Sequence, residues 1–180
     1  MAKTPQEEVI DKQVEKVGGN YPPKAKDQLK SVFTDIIEKG MTIMEAIHFP
    51  PPLVELIYSH ASELYTAGKF QDASKLFYYL VRLNPKDPRF SFAYAASLHK
   101  LKNYEEAAGF YLMSTTIDSE NPLPWFHSGD CYLELQKPDV ALIMLAKSIE
   151  VAGNSPNHER LKQQAGALCD AIKQSLGGGA

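Results

Sequence analysis

The sequence predicts an all-α protein, a solenoid of helix–turn–helix units, and two patterns predict it. Apolar residues recur at helical spacing from Lys24 almost to the C-terminus. From residue 54 onward, small, apolar and bulky side chains also recur with the period of a helix–turn–helix repeat. A chain of 180 residues with 44% hydrophobic content is long enough to bury one such core without disulfides.

The repeat begins after three prolines at 50–52, which interrupt the preceding helical pattern because proline has no backbone N–H to donate. The last one or two of them suit the first turn of the next helix. Three copies align without insertion: Ile57, Ala61, Leu64, Gly68, Phe70, Ala73, Phe77 and Pro85; Ser91, Ala95, Leu98, Lys102, Tyr104, Ala107, Tyr111 and Ser119; Trp125, Gly129, Tyr132, Gln136, Pro138, Ala141, Leu145 and Gly153. This period and pattern define the tetratricopeptide repeat, a pair of helices. We expect three tandem tetratricopeptide repeats over 54–155, with bounds 54–87, 88–121 and 122–155.

The segment before the repeats divides into an arm and a helical part. Residues 1–23 are polar and lack a sustained apolar period, which predicts a flexible arm with at most a frayed turn. Residues 24–53 are expected to form N-terminal helices, of which the first ends near Gly40 and the second begins at a Thr42–Glu45 capping box. Five residues of the first helix form one apolar stripe and are candidates for dimerisation: Leu29, Val32, Phe33, Ile36 and Ile37. The alternative is that this stripe packs only on the first repeat.

After the repeats, residues 156–176 are expected to form a capping helix. Ser155 and Pro156 suit its N-cap and first helical position. Leu161, Ala165, Leu168 and Ile172 then form one apolar stripe that closes the last repeat. Residues 177–180 are predicted to be a flexible tail.

Composition excludes several classes of function. The formal net charge of −3 argues against a non-specific nucleic-acid binder. No secretory signal is predicted, because residues 1–16 are charged throughout and contain no apolar core. No membrane span is predicted either, because the longest apolar run, residues 140–146, is far shorter than the ~20 residues that a span needs. The two cysteines, Cys131 and Cys169, suit a reducing compartment.

No motif for catalysis or metal binding is recognised. The five histidines have neither HxxxH nor HExxH spacing, and no cysteine pair completes a zinc pattern. His127-Ser128-Gly129-Asp130 lies in a predicted helix and is not a nucleophile elbow. The sequence predicts neither a metal site nor a cofactor nor an enzyme, although the absence of motifs does not exclude one.

The predicted function is therefore binding, through side chains on the inner face of the solenoid. In this architecture the first helix of each repeat lines a concave groove. Aromatic and small residues alternate there, which favours apolar and proline side chains of an extended peptide. For any one ring, the alternative is packing against the helices N-terminal to the repeats. The candidate groove residues are Tyr58, Ser62, Tyr65, Arg89, Phe92, Ala96, His99, Phe126, Asp130 and Leu133.

Over residues 38–165 the chain resembles the class II chaperones of bacterial type III secretion, which serve translocator proteins. The resemblance depends on three segments with Tyr65 between the first two: Leu56-Ile57-Tyr58-Ser59, Gly68-Lys69-Phe70-Gln71-Asp72-Ala73 and Asp87-Pro88-Arg89-Phe90. It implies that the chain binds a secreted client in the bacterial cytoplasm, self-associates as a homodimer and catalyses no reaction.

The resemblance also implies the form of the bound segment. Clients of the family present a segment similar to Pro-x-Leu-x-x-Pro, whose three anchors enter successive pockets. Carried onto this chain, the first pocket is formed by Tyr58, Ser62 and Tyr65, the middle one by Phe92, Ala96 and His99, and the far one by Phe126 and Leu133. The sequence leaves open whether the client is a translocator or a gate-controlling protein. It also leaves open a generic tetratricopeptide scaffold that joins two folded partners.

Overall fold

The computed structural model describes residues 3–177, which form ten α-helices and one 3-10 turn. No residue in this range lies in a β-strand, so the all-α prediction is confirmed. The helices are α1 (Pro5–Gly18), α2 (Pro23–Ile37), α3 (Ile43–Ala46), α4 (Pro51–Thr66), α5 (Phe70–Leu83), α6 (Pro88–Lys100), α7 (Tyr104–Ile117), α8 (Pro122–Glu134), α9 (Pro138–Ala152) and α10 (Glu159–Gly177). Between residues 3 and 177, none of them is long and apolar enough to span a bilayer.

The chain forms two compact units. The first contains residues up to 56 together with 82–84, and the second contains 57–81 together with residues from 85 onward. In the first unit, the expected flexible arm over residues 1–23 is wrong for residues 5–18, which form α1. Thr4 and Glu7 form a capping box at its start, and Ile10 and Val14 are buried.

Contacts with α2 explain why α1 is a helix despite its weak apolar pattern. Lys30 and Lys26 form ion pairs with Asp11 at 2.6 Å and Glu15 at 3.1 Å. Hydrogen bonds from Lys3 and Lys30 lower the pKa of Asp11 to about 2. A Cβ on Gly18 would lie 2.8 Å from Cδ1 of Leu29, so the two helices approach closely at this glycine. These contacts are between residues distant in sequence, which a search for local periodicity does not detect.

The apolar stripe of α2 is only partly covered. Leu29, Val32, Phe33, Ile36 and Ile37 are all half-buried, and none of the residues in α2 is fully buried. The predicted Thr42–Glu45 capping box is present at the start of α3. Among the prolines at 50–52, Pro51 and Pro52 occupy the first turn of α4, as the sequence suggested.

In the second unit the period of the sequence reappears in the geometry. Helices α6 and α8 begin at Pro88 and Pro122, the predicted repeat starts, whereas α4 begins at Pro51, before the predicted start at Val54. The Ser114 hydroxyl donates to the carbonyl of Pro88 at 3.1 Å, and the Ser148 hydroxyl donates to that of Pro122 at 2.9 Å. These two hydrogen bonds are one repeat period apart. Each ties the second helix of a repeat, α7 or α9, to the N-terminus of the first helix, α6 or α8.

The turn within each repeat uses one backbone conformation three times. Gly68, Lys102 and Gln136 occupy the same position in successive repeats and have φ angles of 76°, 63° and 57°. This left-handed conformation costs little for glycine but is uncommon for lysine or glutamine. The geometry of the repeat therefore imposes the turn even where its residue has no intrinsic preference for it.

Helix α10 covers the last repeat as predicted, although it starts differently. Ala141 and Leu145 of α9 form a buried cluster with Ala165, Cys169 and Ile172 of α10. Ser155 occupies the N-cap position and Pro156 the first helical position, as expected, but the Ser155 side chain makes no capping hydrogen bond and the helical turn that follows is of the 3-10 type. Residues 156–158 instead form the 3-10 turn, and α10 begins at Glu159. Gly177, predicted as part of the tail, is its last residue, and residues 178–180 lie outside the described range.

Candidate functional site

A cavity of about 400 Å³ in the second unit collects most of the predicted groove residues. Its volume lies within the usual range for ligand pockets, about 300–1,000 Å³. Residues from five helices, α4 to α8, line it: Tyr58, Ser62, Tyr65, Thr66, Phe77, Phe92, Ala93, Ala96, His99, Lys100, Tyr111, His127 and Asp130. The first and middle pockets expected from the resemblance thus belong to one cavity.

Helices α6 and α8, which both contribute residues to the cavity lining, begin in the same way. Asp87 and Asn121 are the N-caps of α6 and α8, and their side-chain oxygens accept hydrogen bonds from the N–H groups of Arg89 and Leu123. A proline follows each cap at the first helical position. Since these caps are one repeat period apart, residues at equivalent positions of α6 and α8, such as Ala93 and His127, both line the cavity.

An aromatic cluster forms one side of the cavity. The ring of His127 stacks on Tyr111 with a centroid distance of 5.4 Å and an interplanar angle of 23°. The ring of Phe92 meets both of them edge-on, at 5.4 Å from Tyr111 and 5.8 Å from His127. His99 completes the cluster at 6.2 Å from Tyr111. Such contacts hold the rings in fixed orientations.

Tyr58 belongs to a second group of ring contacts beside the cavity. The ring of Tyr58 contacts Phe77 at 5.6 Å and Phe90 at 5.8 Å. The guanidinium of Arg89 lies 5.2 Å from the centre of the Tyr58 ring, within the range of a cation–π interaction. The Ser62 hydroxyl donates to the carbonyl of Tyr58 at 2.8 Å, which ties its polar atom to the helix.

Burial keeps the aromatic side of the cavity uncharged. Burial raises the pKa of the Tyr111 hydroxyl, so this group stays protonated at neutral pH. Burial also lowers the pKa of both His99 and His127 below the ordinary value of 6.5, so both imidazoles are neutral near pH 7. Charge enters the lining only through Lys100 and Asp130. The site is therefore suited to apolar side chains, with one cation and one anion beside them.

Seven of the ten predicted groove residues line the cavity. The other three, Arg89, Phe126 and Leu133, do not. Arg89 is exposed, and it is hydrogen-bonded to Asp87. Phe126 and Leu133 are half-buried and pack against the α9–α10 cluster, so they do not form a far pocket of the cavity. Phe126 still touches the aromatic cluster, since its ring lies 5.4 Å from that of His127.

Three rings of the lining were not predicted from the sequence, those of Phe77, Tyr111 and His127. Phe77 and Tyr111 occupy the bulky repeat position on the second helix of a pair, which the pattern assigns to packing between helices. They do pack there, with 2% of each residue exposed, but they also line the cavity. His127 lies one repeat period after Ala93, which also lines the cavity but was not among the predicted groove residues, so the period by itself marked neither of them.

No arrangement in the cavity supplies an activated nucleophile. The thiol nearest to it in sequence, Cys131, is fully buried, and burial raises its pKa to about 12. It therefore remains protonated at neutral pH. What the arrangement of rings and small residues provides is a preformed surface for binding.

Comparison with known proteins places the chain among similar sequences and structures. Residues 58–122 match the tetratricopeptide repeat family. The chaperone protein SicA of Salmonella typhimurium is 22% identical over 149 residues, which are 83% of this chain and 88% of SicA. PcrH of Pseudomonas aeruginosa, solved in complex with the chaperone binding region of PopD, is 31% identical, with a TM-score of 0.67 over 69% of this chain and 93% of PcrH. The Yersinia enterocolitica translocator chaperone SycD, solved as an alternative dimer, is 29% identical, with a TM-score of 0.66 over 68% of this chain and 92% of SycD.

Proposed function

The chain belongs to the type III secretion translocator chaperones, and we propose that it holds a secreted client through an extended, proline-containing segment bound in the cavity of the second unit. It acts in the bacterial cytoplasm without catalysis and keeps the client soluble and competent for secretion. The client is a translocator, as the structure of the Yersinia enterocolitica chaperone SycD in complex with a peptide of the translocator YopD supports.

The observation that carries the proposal is the preformed cavity with aromatic walls. An extended segment of polyproline type loses little conformational freedom on binding, because its backbone is already stretched in solution. Its side chains need pockets that are apolar and already shaped. Phe92, Tyr111 and His127 provide a rigid wall of this kind, and Ala96 leaves room in front of it.

The affinity expected of a short segment is modest. Burial of three apolar side chains contributes about 4–9 kcal/mol before the costs of association. After those costs, a peptide of this length binds with a Kd on the order of 1 μM, about −8 kcal/mol. A whole client is held more tightly only if it makes further contacts outside the cavity.

The proposed oligomer is a homodimer formed through residues 24–53. The stripe Leu29, Val32, Phe33, Ile36 and Ile37 supports this, because every member remains half-exposed in the single chain. Contiguous exposed apolar surface of this kind is typical of protein interfaces. The alternative dimer solved for SycD is consistent with self-association in the family.

A fluorescence-anisotropy titration with a labelled Pro-x-Leu-x-x-Pro peptide tests the binding site. Wild type should bind saturably near micromolar concentration. Phe92→Glu places a carboxylate in the cavity and should weaken binding by about thirtyfold or more, the roughly 2 kcal/mol of an interface hot spot. Circular dichroism verifies that this variant keeps its helices.

Ile143→Glu is the matched control, since it adds the same charge on α9 at a residue that is 62% exposed and does not line the cavity. It should bind the peptide as wild type does. If Phe92→Glu binds equally well, the segment does not occupy the cavity, and a scaffold for folded partners becomes the better account. If wild type does not bind the peptide at all, the proposed client chemistry is wrong.

A further inference from the structure

Two histidines and one carboxylate come together in the wall of the cavity. His99 is near the end of α6, while His127 and Asp130 lie one turn apart on α8. One potential ligand atom from each residue lies within 4.8 Å of the others, and within residues 3–177 this is the one such group. Nε2 of His99 and Oδ2 of Asp130 are 3.8 Å apart.

These separations are close to those of a metal centre. Ligand atoms at about 2.0–2.1 Å from a tetrahedral Zn²⁺ lie about 3.3 Å from one another. The 3.8 Å between His99 and Asp130 exceeds this spacing, and the Asp130 side chain, which is 43% exposed, has room to rotate toward a bound ion. Two imidazoles with one carboxylate are also a ligand set that Zn²⁺ accepts, with the fourth position left for water.

The surroundings keep both imidazoles able to coordinate. A histidine ligates through an unprotonated nitrogen, and burial lowers the pKa of His99 and of His127. The ring of His127 is fixed by stacking on Tyr111, and the ring of His99 by an edge contact with Tyr104 at 5.5 Å. Pre-oriented ligands lose less freedom when they bind a metal.

Sequence motifs do not reveal this cluster. His127 and Asp130 have i, i+3 spacing, which is common on helix surfaces, and His99 belongs to the preceding repeat. We propose that His99, His127 and Asp130 form a binding site for Zn²⁺ in the wall of the cavity, with water as the fourth ligand. Because Phe92 and Ala96 line the same cavity, bound metal and a client segment exclude each other. Mutual exclusion rests on the proposed function, whereas metal binding itself does not.

Isothermal titration of the full chain with ZnCl₂ at pH 7.5, without peptide, tests the site directly. Wild type should bind one Zn²⁺ per chain. Asp130→Asn and His99→Gln should each weaken binding at least tenfold, since each removes one of three ligands. His60→Gln is the matched control, because His60 is 61% exposed and lies outside the cluster, and it should leave the affinity within twofold of wild type.

Substitution with Co²⁺ gives an independent readout. Visible absorption bands of a tetrahedral Co²⁺ site should appear with wild type and disappear with Asp130→Asn. The site is disproved if wild type does not bind Zn²⁺ saturably, or if Asp130→Asn and His99→Gln bind as tightly as wild type. The peptide titration is then repeated with saturating Zn²⁺, where a Kd at least tenfold higher is expected. An unchanged Kd disproves mutual exclusion and leaves the metal site intact.

Discussion

Gly129 provides a quantitative test of how closely the last repeat is packed. It lies inside α8, and a Cβ at this position would lie 2.9 Å from Cγ and 3.0 Å from Cδ2 of Leu145. Leu145, on α9, is fully buried and belongs to the cluster that α9 forms with α10. Gly129→Ala therefore forces α8 and α9 apart or moves the Leu145 side chain away from its preferred rotamer.

The magnitude follows from two opposing terms. Replacing glycine by alanine inside a helix stabilises it by about 1 kcal/mol. Forcing an extra methyl into a packed core costs about 1–3 kcal/mol. The net effect of Gly129→Ala is a loss of about 0–2 kcal/mol. Gly109→Ala, in α7, isolates the first term, because nothing lies within 4 Å of its added Cβ.

Urea unfolding, followed by the fluorescence of the single tryptophan, measures both variants. Trp125 lies in α8, so its emission reports on the second unit. Gly109→Ala should be about 1 kcal/mol more stable than wild type, and Gly129→Ala about 1–3 kcal/mol less stable than Gly109→Ala. Each 1 kcal/mol of that difference corresponds to a shift of about 2–4 °C in Tm. If the two variants are equally stable, the close contact with Leu145 carries no strain and the reasoning is refuted.

Two further predictions concern pH and assembly. Burial, and to a lesser extent His99, lower the pKa of His127, so between its folded pKa and the ordinary 6.5 the unfolded chain binds a proton that the folded chain does not. Stability should therefore fall as pH drops below about 6.5, and less steeply in His127→Gln; equal slopes in urea titrations from pH 7.5 to 5.5 would contradict this. Phe33→Glu should convert the dimer to a monomer in sedimentation velocity, whereas Gln28→Glu, at an exposed position of the same helix, should not. A Phe33→Glu variant that sediments as a dimer would exclude this stripe as the interface.

Most of the fold was predictable because the period of the sequence is also the period of the packing. Small residues that recur once per repeat mark the places where helices approach, and proline after a capping residue marks where α6 and α8 begin. Such signals are local steric requirements, which a sequence displays directly. Helix α1 has few local signals, and its ion pairs with α2 stabilise it only after the chain has folded back.

The candidate site, like the fold, has features that local sequence signals predict and features that depend on contacts between helices. The sequence alone determined that the first helix of each repeat supplies small and aromatic residues to an inner face, because the repeat period fixes which residues share that face. Only the tertiary structure decided which of them meet. The arrangement of α6, α7 and α8 places His99 beside Asp130, and Tyr111, a packing residue, also lines the cavity. Those distances depend on the angles between helices, and these angles are set by the sum of all side-chain contacts across each interface.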